Sequence, residues 1–329
     1  MCTSLTLKTK DGHHILARTM DFGMGFNQAV HFVPRNFKWC NCENYKKKKT
    51  KYAFIGMGVS DDNHPVLADG VNEKGVTCAT LYFPGFAEYE KKNNDEKENL
   101  APYDIVFWIL SQFKSVREVM LALNYIEIID KNLEILGVVP PLHWMVSDKS
   151  GKSIVIEKTK RGIEVYNSPV GVLSNSPNFE WHLTNLRQYI GIKPQQNDPI
   201  KMENLKLSPI GQGSGTFGLP GDFTPPSRFI RAAYLKNNIT HLQNEMQGVT
   251  GAFHILSNCA VPKGAVVKYE GNEDSTLYIA AMCSESATYY FNTYENNQIS
   301  AVHLFNEDLE AEKIKVFPAS FDQVIHHLN

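Results

Sequence analysis

The sequence predicts an α+β fold in which two antiparallel sheets stack face to face and helices cover their outer faces. Three observations lead there. Along the 329 residues the local patterns run strands, helices, strands, helices, strands. Turn signals such as Asp11-Gly12, Ser150-Gly151 and Arg161-Gly162 join consecutive strand candidates, which makes the sheets antiparallel. Two such sheets, each with an apolar face to bury, are covered on all sides by stacking and by outer helices. At about 150 residues per domain the length allows two domains. No linker or internal repeat divides the chain, so residues 1–329 read as one domain.

The elements follow in order. Residues 3–7 alternate polar and apolar, Asp11-Gly12 turns the chain, and residues 14–18 continue extended. Further strands are expected at 29–33, 52–57 and 76–82, and the charged stretch 88–99 reads as a solvated loop. Ile105, Ile109, Leu110 and Phe113 share one helical face, and Val116, Met120 and Leu123 a second. Strands return at 144–147, 154–157 and 163–166. Ser176-Pro177 is expected to open a helix, with Ser as N-cap and Pro at the first helical position. Phe179, Leu183, Leu186 and Tyr189 then keep helical spacing. Residues 191–228 hold six Gly and six Pro and read as an irregular segment. Thr224-Pro225 opens another helix through Tyr234, and residues 249–258 form one more. The tail returns to strands at 276–282, 289–294 and 299–304.

Composition narrows the function classes. The chain is 43% hydrophobic and 21% charged, ordinary for a globular protein. Thirty-three Lys plus Arg against 35 Asp plus Glu leave a net charge of −2, so no nucleic-acid partner is expected. The longest apolar run near a helix pattern, 105–110, is far shorter than the roughly 20 residues of a membrane span. The amino terminus Met-Cys-Thr-Ser-Leu-Thr-Leu-Lys carries no basic region followed by an apolar stretch, and a cytoplasmic location is expected. Six cysteines are too few for a disulfide scaffold.

Several motifs carry no chemistry on inspection. Gly213-Ser-Gly-Thr-Phe-Gly218 matches a dinucleotide-binding string, but no strand precedes it and Pro220-Gly221 follows where a helix must start. Cys40-Asn-Cys42 lacks paired zinc-ligand spacing. The run Lys46-Lys-Lys-Lys49 reads as a solvated turn. His13-His14 and His326-His327 are adjacent pairs that diverge on a strand and chelate poorly. No cofactor or metal is therefore expected.

One constellation remains. Cys2 follows the initiator Met and is small enough for Met1 to be removed, which leaves a thiol and an α-amine on one residue. Their unperturbed pKa values, about 8.5 and about 7.7–8, lie near neutrality. The amine can take the proton of its own side-chain nucleophile. A two-residue turn at Asp11-Gly12 sets Cys2 opposite Asp21; a longer turn shifts the register by one and brings Arg18 and Met20 onto the Cys2 face. Arg18 and Asp21, three apart, cannot share one face of a regular strand.

The start Met-Cys-Thr, Ala-Arg18-Thr-Met-Asp21-Phe and Asp69-Gly-Val-Asn-Glu-Lys-Gly75 resemble the choloylglycine hydrolase family. So do Leu-Ser-Asn175-Ser-Pro-Asn-Phe, Gly218-Leu-Pro-Gly-Asp-Phe-Thr-Pro, Ser-Arg228-Phe and Tyr289-Tyr-Phe. The resemblance runs nearly end to end. It implies a four-layer αββα sandwich of the N-terminal nucleophile hydrolases, hydrolysis of a linear amide through an acyl-enzyme, no metal, and a homotetramer to which the segment 191–220 contributes a subunit contact. It also implies roles. Cys2 Sγ attacks the amide carbonyl and its amine carries the proton. Asp21 fixes that amine, and Arg18 favours the thiolate. Asn175 and the backbone N–H of Tyr82 hold the oxyanion, and Arg228 is a second cation on the first turn of a helix. Met20, Phe22, Phe26 and Leu142 are the expected substrate-lining residues.

Within the family the tyrosine at position 82, in Ala79-Thr-Leu-Tyr82-Phe-Pro-Gly85, resembles penicillin V acylases, whereas bile salt hydrolases usually carry Asn there. Segments Pro140-Pro-Leu-His143 and Trp181-His-Leu-Thr-Asn-Leu-Arg187 point the same way. The expectation is a penicillin V acylase, with bile salt hydrolysis or acyl-homoserine lactone cleavage as alternatives. A non-catalytic binding protein on the same fold is the alternative from another class.

Overall fold

The computed structural model describes residues 1–40, 48–60, 64–269 and 271–329. Cys42 and positions 46–47 of the basic run lie outside them. β1 (Cys2–Lys8) and β2 (His14–Phe22) form a hairpin, followed by β3 (Ala29–Val33) and the small hairpin of β4 (Lys38–Trp39) and β5 (Lys48–Lys49). β6 (Phe54–Val59), β7 (Val66–Asn72) and β8 (Thr77–Tyr82) meander. β9 (Glu98–Leu100) and β10 (Ile126–Ile128) flank α1 (Ile105–Gln112) and α2 (Val116–Ala122). β11 (Leu142–Ser147), β12 (Ser153–Thr159) and β13 (Gly162–Asn167) make a second meander, and β14 (Val172–Leu173) crosses to β1. α3 (Phe179–Asn185), the exposed hairpin β15 (Ile200–Met202) with β16 (Leu205–Leu207), α4 (Pro225–Asn238) and α5 (Glu245–Ser257) come next. β17 (Ser275–Cys283), β18 (Thr288–Thr293), β19 (Ser300–His303) and β20 (Lys315–Pro318) complete the chain.

Two sheets carry the architecture. One has the order β14-β1-β2-β17-β18-β19, the other β13-β12-β11-β8-β7-β6-β3-β20, and every pairing inside them is antiparallel. Period-two alternation sorts the side chains. On β6, β8, β11 and β12, Ile55, Ala79, Met145 and Val155 face the other sheet, while Phe54, Cys78, Trp144 and Ile156 face α1 and α2. On the first sheet the face bearing Ile15 meets α5 at Gly248. The αββα sandwich expected from the sequence is therefore present.

Local chemistry explains most helix starts. Ser115 caps α2 by accepting the Glu118 N–H at 3.2 Å, and Asn244 caps α5 by accepting that of Gln247 at 3.0 Å. Pro225 opens α4 as expected. The expected start at Ser176-Pro177 is corrected. Its peptide is cis, and α3 begins at Phe179, whose N–H donates to Glu157 Oε1 at 3.0 Å. Three strands of the two main sheets escaped the sequence reading, β7, β14 and β20, as did the short outlying strands β4, β5, β9, β10, β15 and β16. β7 is central, and Gly70 within it lets α1 approach: a Cβ there would stand 2.7 Å from Leu110 Cδ1 and 2.5 Å from the Ile55 carbonyl. The Gly213–Gly218 string winds through an exposed loop with one short turn at Ser214–Thr216, outside any strand-to-helix junction.

Candidate active site

The β1–β2 register decides what surrounds Cys2. Thr9 and His13 close the hairpin through a 3.0 Å bond, and Gly12 takes the left-handed conformation, φ 96°, that ends a three-residue turn. Cys2 therefore pairs with Met20 and Ser4 with Arg18. The two-residue turn that set Cys2 opposite Asp21 is corrected by one residue, and the longer-turn register is the observed one. Cys2, Arg18 and Met20 point between the sheets. Thr3, Thr19 and Asp21 point toward the helices.

Between the sheets, Arg18 Nη2 lies 3.0 Å from Cys2 Sγ and 3.0 Å from the Thr80 carbonyl. Its Nη1 donates to Asp69 Oδ2 at 2.8 Å. Tyr278 OH donates to the same oxygen at 2.7 Å, and Tyr289 OH donates to Asp69 Oδ1. All four side chains are buried. Burial opposes the Arg18 charge, but Tyr278, Cys2 and Asp69 outweigh it and hold the guanidinium well above its usual range. Burial, then Asp69, pushes both tyrosines far up, so they remain hydrogen-bond donors. The result is a permanent positive charge aimed at the sulfur.

On the helix side, α4 delivers Arg228. Its Nη1 donates to the Cys2 carbonyl and to Thr3 Oγ1, both at 2.6 Å, and lies 3.8 Å from Asp21 Oδ2. Its Nη2 donates to Asn175 Oδ1 at 2.6 Å. Thr276 donates to Asp21 Oδ1 at 2.6 Å across the β-bulge in the β2–β17 pairing. The Met1 amine donates to the Asp21 carbonyl at 2.5 Å. Asp21 thus meets the chain end through its backbone, on the opposite face from the Cys2 thiol, as the three-residue separation from Arg18 requires.

Asn175 joins the two faces. Its Oδ1 accepts the Cys2 N–H at 2.7 Å as well as Arg228, which fixes the amide orientation. Its Nδ2 donates to the Tyr82 carbonyl at 2.6 Å, leaving its second N–H for another acceptor. A strand residue's N–H and C=O point to the same side, so the Tyr82 N–H shares the side on which Asn175 sits.

An apolar pocket opens against Cys2 and Arg18. Met20, Phe22, Phe26 and Leu142 all line it, with Ile135 and Leu136 along the opposite wall and the Tyr82 side chain, 36% exposed, at the rim. Phe22 and Phe26 lie with ring centroids 5.1 Å apart. The structure thus brings together every residue singled out from the sequence. Sequence reasoning missed Asp69, Tyr278, Tyr289 and His182. Asp69 and Tyr289 stood in the sequence only within motifs of the family resemblance, with no role attached.

His182, on α3, is fully buried, stacks on Phe229 and bonds the Asn175 carbonyl through Nε2 at 2.8 Å. Burial lowers its pKa to about 4. The folded state therefore holds this imidazole neutral while the unfolded chain, near 6.5, takes up a proton. Stability from this group is complete above about pH 6.5 and falls as the pH drops toward 4. Between pH 7.5 and 4.5 the loss amounts to roughly 2–3 kcal/mol. Urea unfolding of wild type and His182→Phe at both values checks this: the variant is expected to show a pH difference smaller by that amount, and equal differences contradict it.

This sandwich, with strand β1 entering its open end at Cys2, is the fold of an N-terminal nucleophile hydrolase. The family of linear amide C–N hydrolases, choloylglycine hydrolase family, matches residues 2–317. The chain belongs to this family and is a hydrolase of linear amides. It is 44% identical to the bile salt hydrolase/transferase of Clostridium perfringens, with 100% of each chain covered. A crystal structure of a point variant of conjugated bile acid hydrolase from the same species superposes with a TM-score of 0.94 at 43% identity, again covering 100% of both chains. The penicillin V acylase of Pectobacterium atrosepticum is 25% identical, over 88% of this chain and 77% of its own. Membership in a hydrolase family overturns the non-catalytic alternative. Among the described residues no helix is long and apolar enough to cross a membrane.

Proposed function

We propose that the chain is a conjugated bile salt hydrolase, cleaving the amide between a steroid acyl group and its amino-acid conjugate. The observation that carries this reading is the full-length 44% identity to a bile salt hydrolase, against 25% to a penicillin V acylase. The expected preference for penicillin V rested on the Tyr82 side chain. That side chain stands at the rim, while the Tyr82 backbone faces Asn175. An apolar lining that includes Phe22, Phe26, Ile135 and Leu136 suits a steroid.

The geometry supports the following sequence. Removal of Met1 frees the Cys2 amine beside Asn175 Oδ1. The amine takes the thiol proton, and the thiolate forms beside Arg18. Sγ attacks the amide carbon, and the oxyanion accepts the free Asn175 N–H and the Tyr82 N–H. The C–N bond breaks as the amine returns its proton to the leaving amino group. Water, deprotonated by the same amine, then hydrolyses the thioester and releases the acid. Arg228 holds the Cys2 carbonyl, and buried Asp21, bonded to Thr276 and 3.8 Å from Arg228, supports that guanidinium. The segment 191–220 presents Ile200, Met202, Leu205, Ile210 and Phe217 outward, which supports its role as a contact with another copy in a tetramer.

Steady-state kinetics with Met1-free enzyme test the substrate. Glycocholate and taurocholate are expected to exceed penicillin V by at least about tenfold in kcat/KM, roughly 1.4 kcal/mol of transition-state discrimination. A higher kcat/KM on penicillin V contradicts the proposal and restores the acylase reading, which the Phe22–Phe26 aromatic pair favours.

A further inference from the structure

The end of the sandwich remote from Cys2 gathers a second group of chemistry-bearing side chains. His13 sits at the tip of the β1–β2 hairpin, Glu245 is the first residue of α5, and Cys283 is the last residue of β17. Their ligating atoms all lie within 4.8 Å of one another, with His13 Nε2 3.5 Å from Glu245 Oε2. Among the described residues this is the one group of its kind. A tetrahedral zinc ion, with bonds of about 2.0 Å to nitrogen and oxygen and about 2.3 Å to sulfur, sets its ligand atoms about 3.3–3.6 Å apart. His13 Nε2 and Glu245 Oε2 already stand at that spacing, and the other pairs lie within 4.8 Å.

The surrounding bonds orient each ligand. Asp11 Oδ1 lies 2.9 Å from His13 Nδ1. The imidazole therefore donates to a carboxylate on one side and turns its Nε2 lone pair into the cluster, the arrangement that supports a metal-bound histidine. Ser286 and Tyr290 donate to Glu245 Oε1 at 2.6 Å and 2.9 Å, which leaves Oε2 for a ligand. Glu285, 3.8 Å from Cys283 Sγ, is held by the His14 backbone and ring at 2.6 Å and 2.9 Å and borders the site. Imidazole, thiolate and carboxylate together suit zinc and its neighbours rather than magnesium or calcium. His13 is about one-quarter exposed, so water can complete the coordination.

We propose that His13, Glu245 and Cys283 bind one zinc-type divalent cation that clips the hairpin tip to α5 and β17. On binding, the thiol loses its proton to solvent, a thiolate–metal bond forms, and no group is oxidised or reduced. The seven residues of β1 place this clip roughly 25 Å from the reacting sulfur. The adjacent histidines do diverge, but His13 finds its partners elsewhere in the chain.

The mature amino terminus is itself a thiol–amine chelate, so the test uses the Cys2→Ala variant as its background. Cobalt(II) titration is expected to give a thiolate charge-transfer band saturating at one equivalent, and added zinc to displace it and raise Tm. On that background His13→Gln and Cys283→Ser are each expected to abolish the band, and Asp11→Asn to weaken binding by about 10–100-fold. Failure to see the band at one equivalent, or its persistence unchanged in His13→Gln, overturns the proposal. His13→Gln with Cys2 intact is expected to hydrolyse its amide substrate as wild type does.

Discussion

Cys2→Ala is expected to fold normally and to lose turnover by at least about 10³-fold. Cys2 is buried, its Sγ meets Arg18, and its backbone N–H and C=O are held by Asn175 and Arg228. Alanine preserves both backbone bonds and the β1–β2 pairing, so stability changes little. The loss lies in chemistry: the Arg18 guanidinium meets the Cys2 sulfur, while Cys78, Cys259 and Cys283 are packed in the two cores. Burial pushes the Cys259 thiol up to about 11, so it offers no thiolate at neutral pH, and Cys283 lies at the far end of the sandwich from Arg18. Cys2→Ser keeps the amine with a poorer nucleophile and is expected to fall between alanine and wild type. Circular dichroism and steady-state rates on the three proteins check this, and turnover by Cys2→Ala at the wild-type rate contradicts it.

Asp69→Asn carries the second large effect. Asp69 is the carboxylate in contact with a fully buried Arg18, and it accepts from two buried tyrosines as well. Asparagine removes the charge and turns an N–H toward groups that are themselves donors. Breaking one partner of a buried ion pair costs about 3–5 kcal/mol, and a loss near 3 kcal/mol is expected because the shape is kept. Asp69 acts through Arg18 and is a positioning residue. Its signature is a lower kcat per folded enzyme and slower alkylation of Cys2 by iodoacetamide, with KM little changed. A purely structural role lowers the folded fraction and leaves both rates per folded molecule intact; that outcome contradicts the assignment.

The misreadings of the sequence have physical causes. Asp11-Gly12 fits both a two-residue turn and the end of a three-residue turn, because glycine serves a positive φ in each. One residue of difference moved the partner of Cys2 from Asp21 to Met20. β7 escaped because Asp69 and Gly70 interrupt its apolar pattern. The first is there to hold Arg18 and the second to admit α1, so function and close packing erased the strand signal. β20 pairs with β3 from the far end of the chain, a non-local contact that no short window contains. Ser176-Pro177 resembles a helix start, but Asn178 takes the N-cap position and Glu157 accepts the first helical N–H from another strand. The two helix pairs and the strands of both meanders other than β7 were legible because their apolar periodicity is uninterrupted. Asn175 and Arg228 have no local signal at all. Only the end-to-end resemblance placed them beside Cys2, and hydrogen bonds of 2.6–2.7 Å now join the three.

The central claim is that one terminal residue supplies both the sulfur that is acylated and the nitrogen that moves the proton. Acid quench of Met1-free enzyme during turnover of glycocholate, followed by mass spectrometry of the amino-terminal peptide, tests it most directly. The account predicts that the peptide beginning at Cys2 carries the mass of the steroid acyl group as a thioester that hydroxylamine removes. An unmodified amino-terminal peptide under conditions of full turnover, or the acyl mass on a different residue, contradicts it.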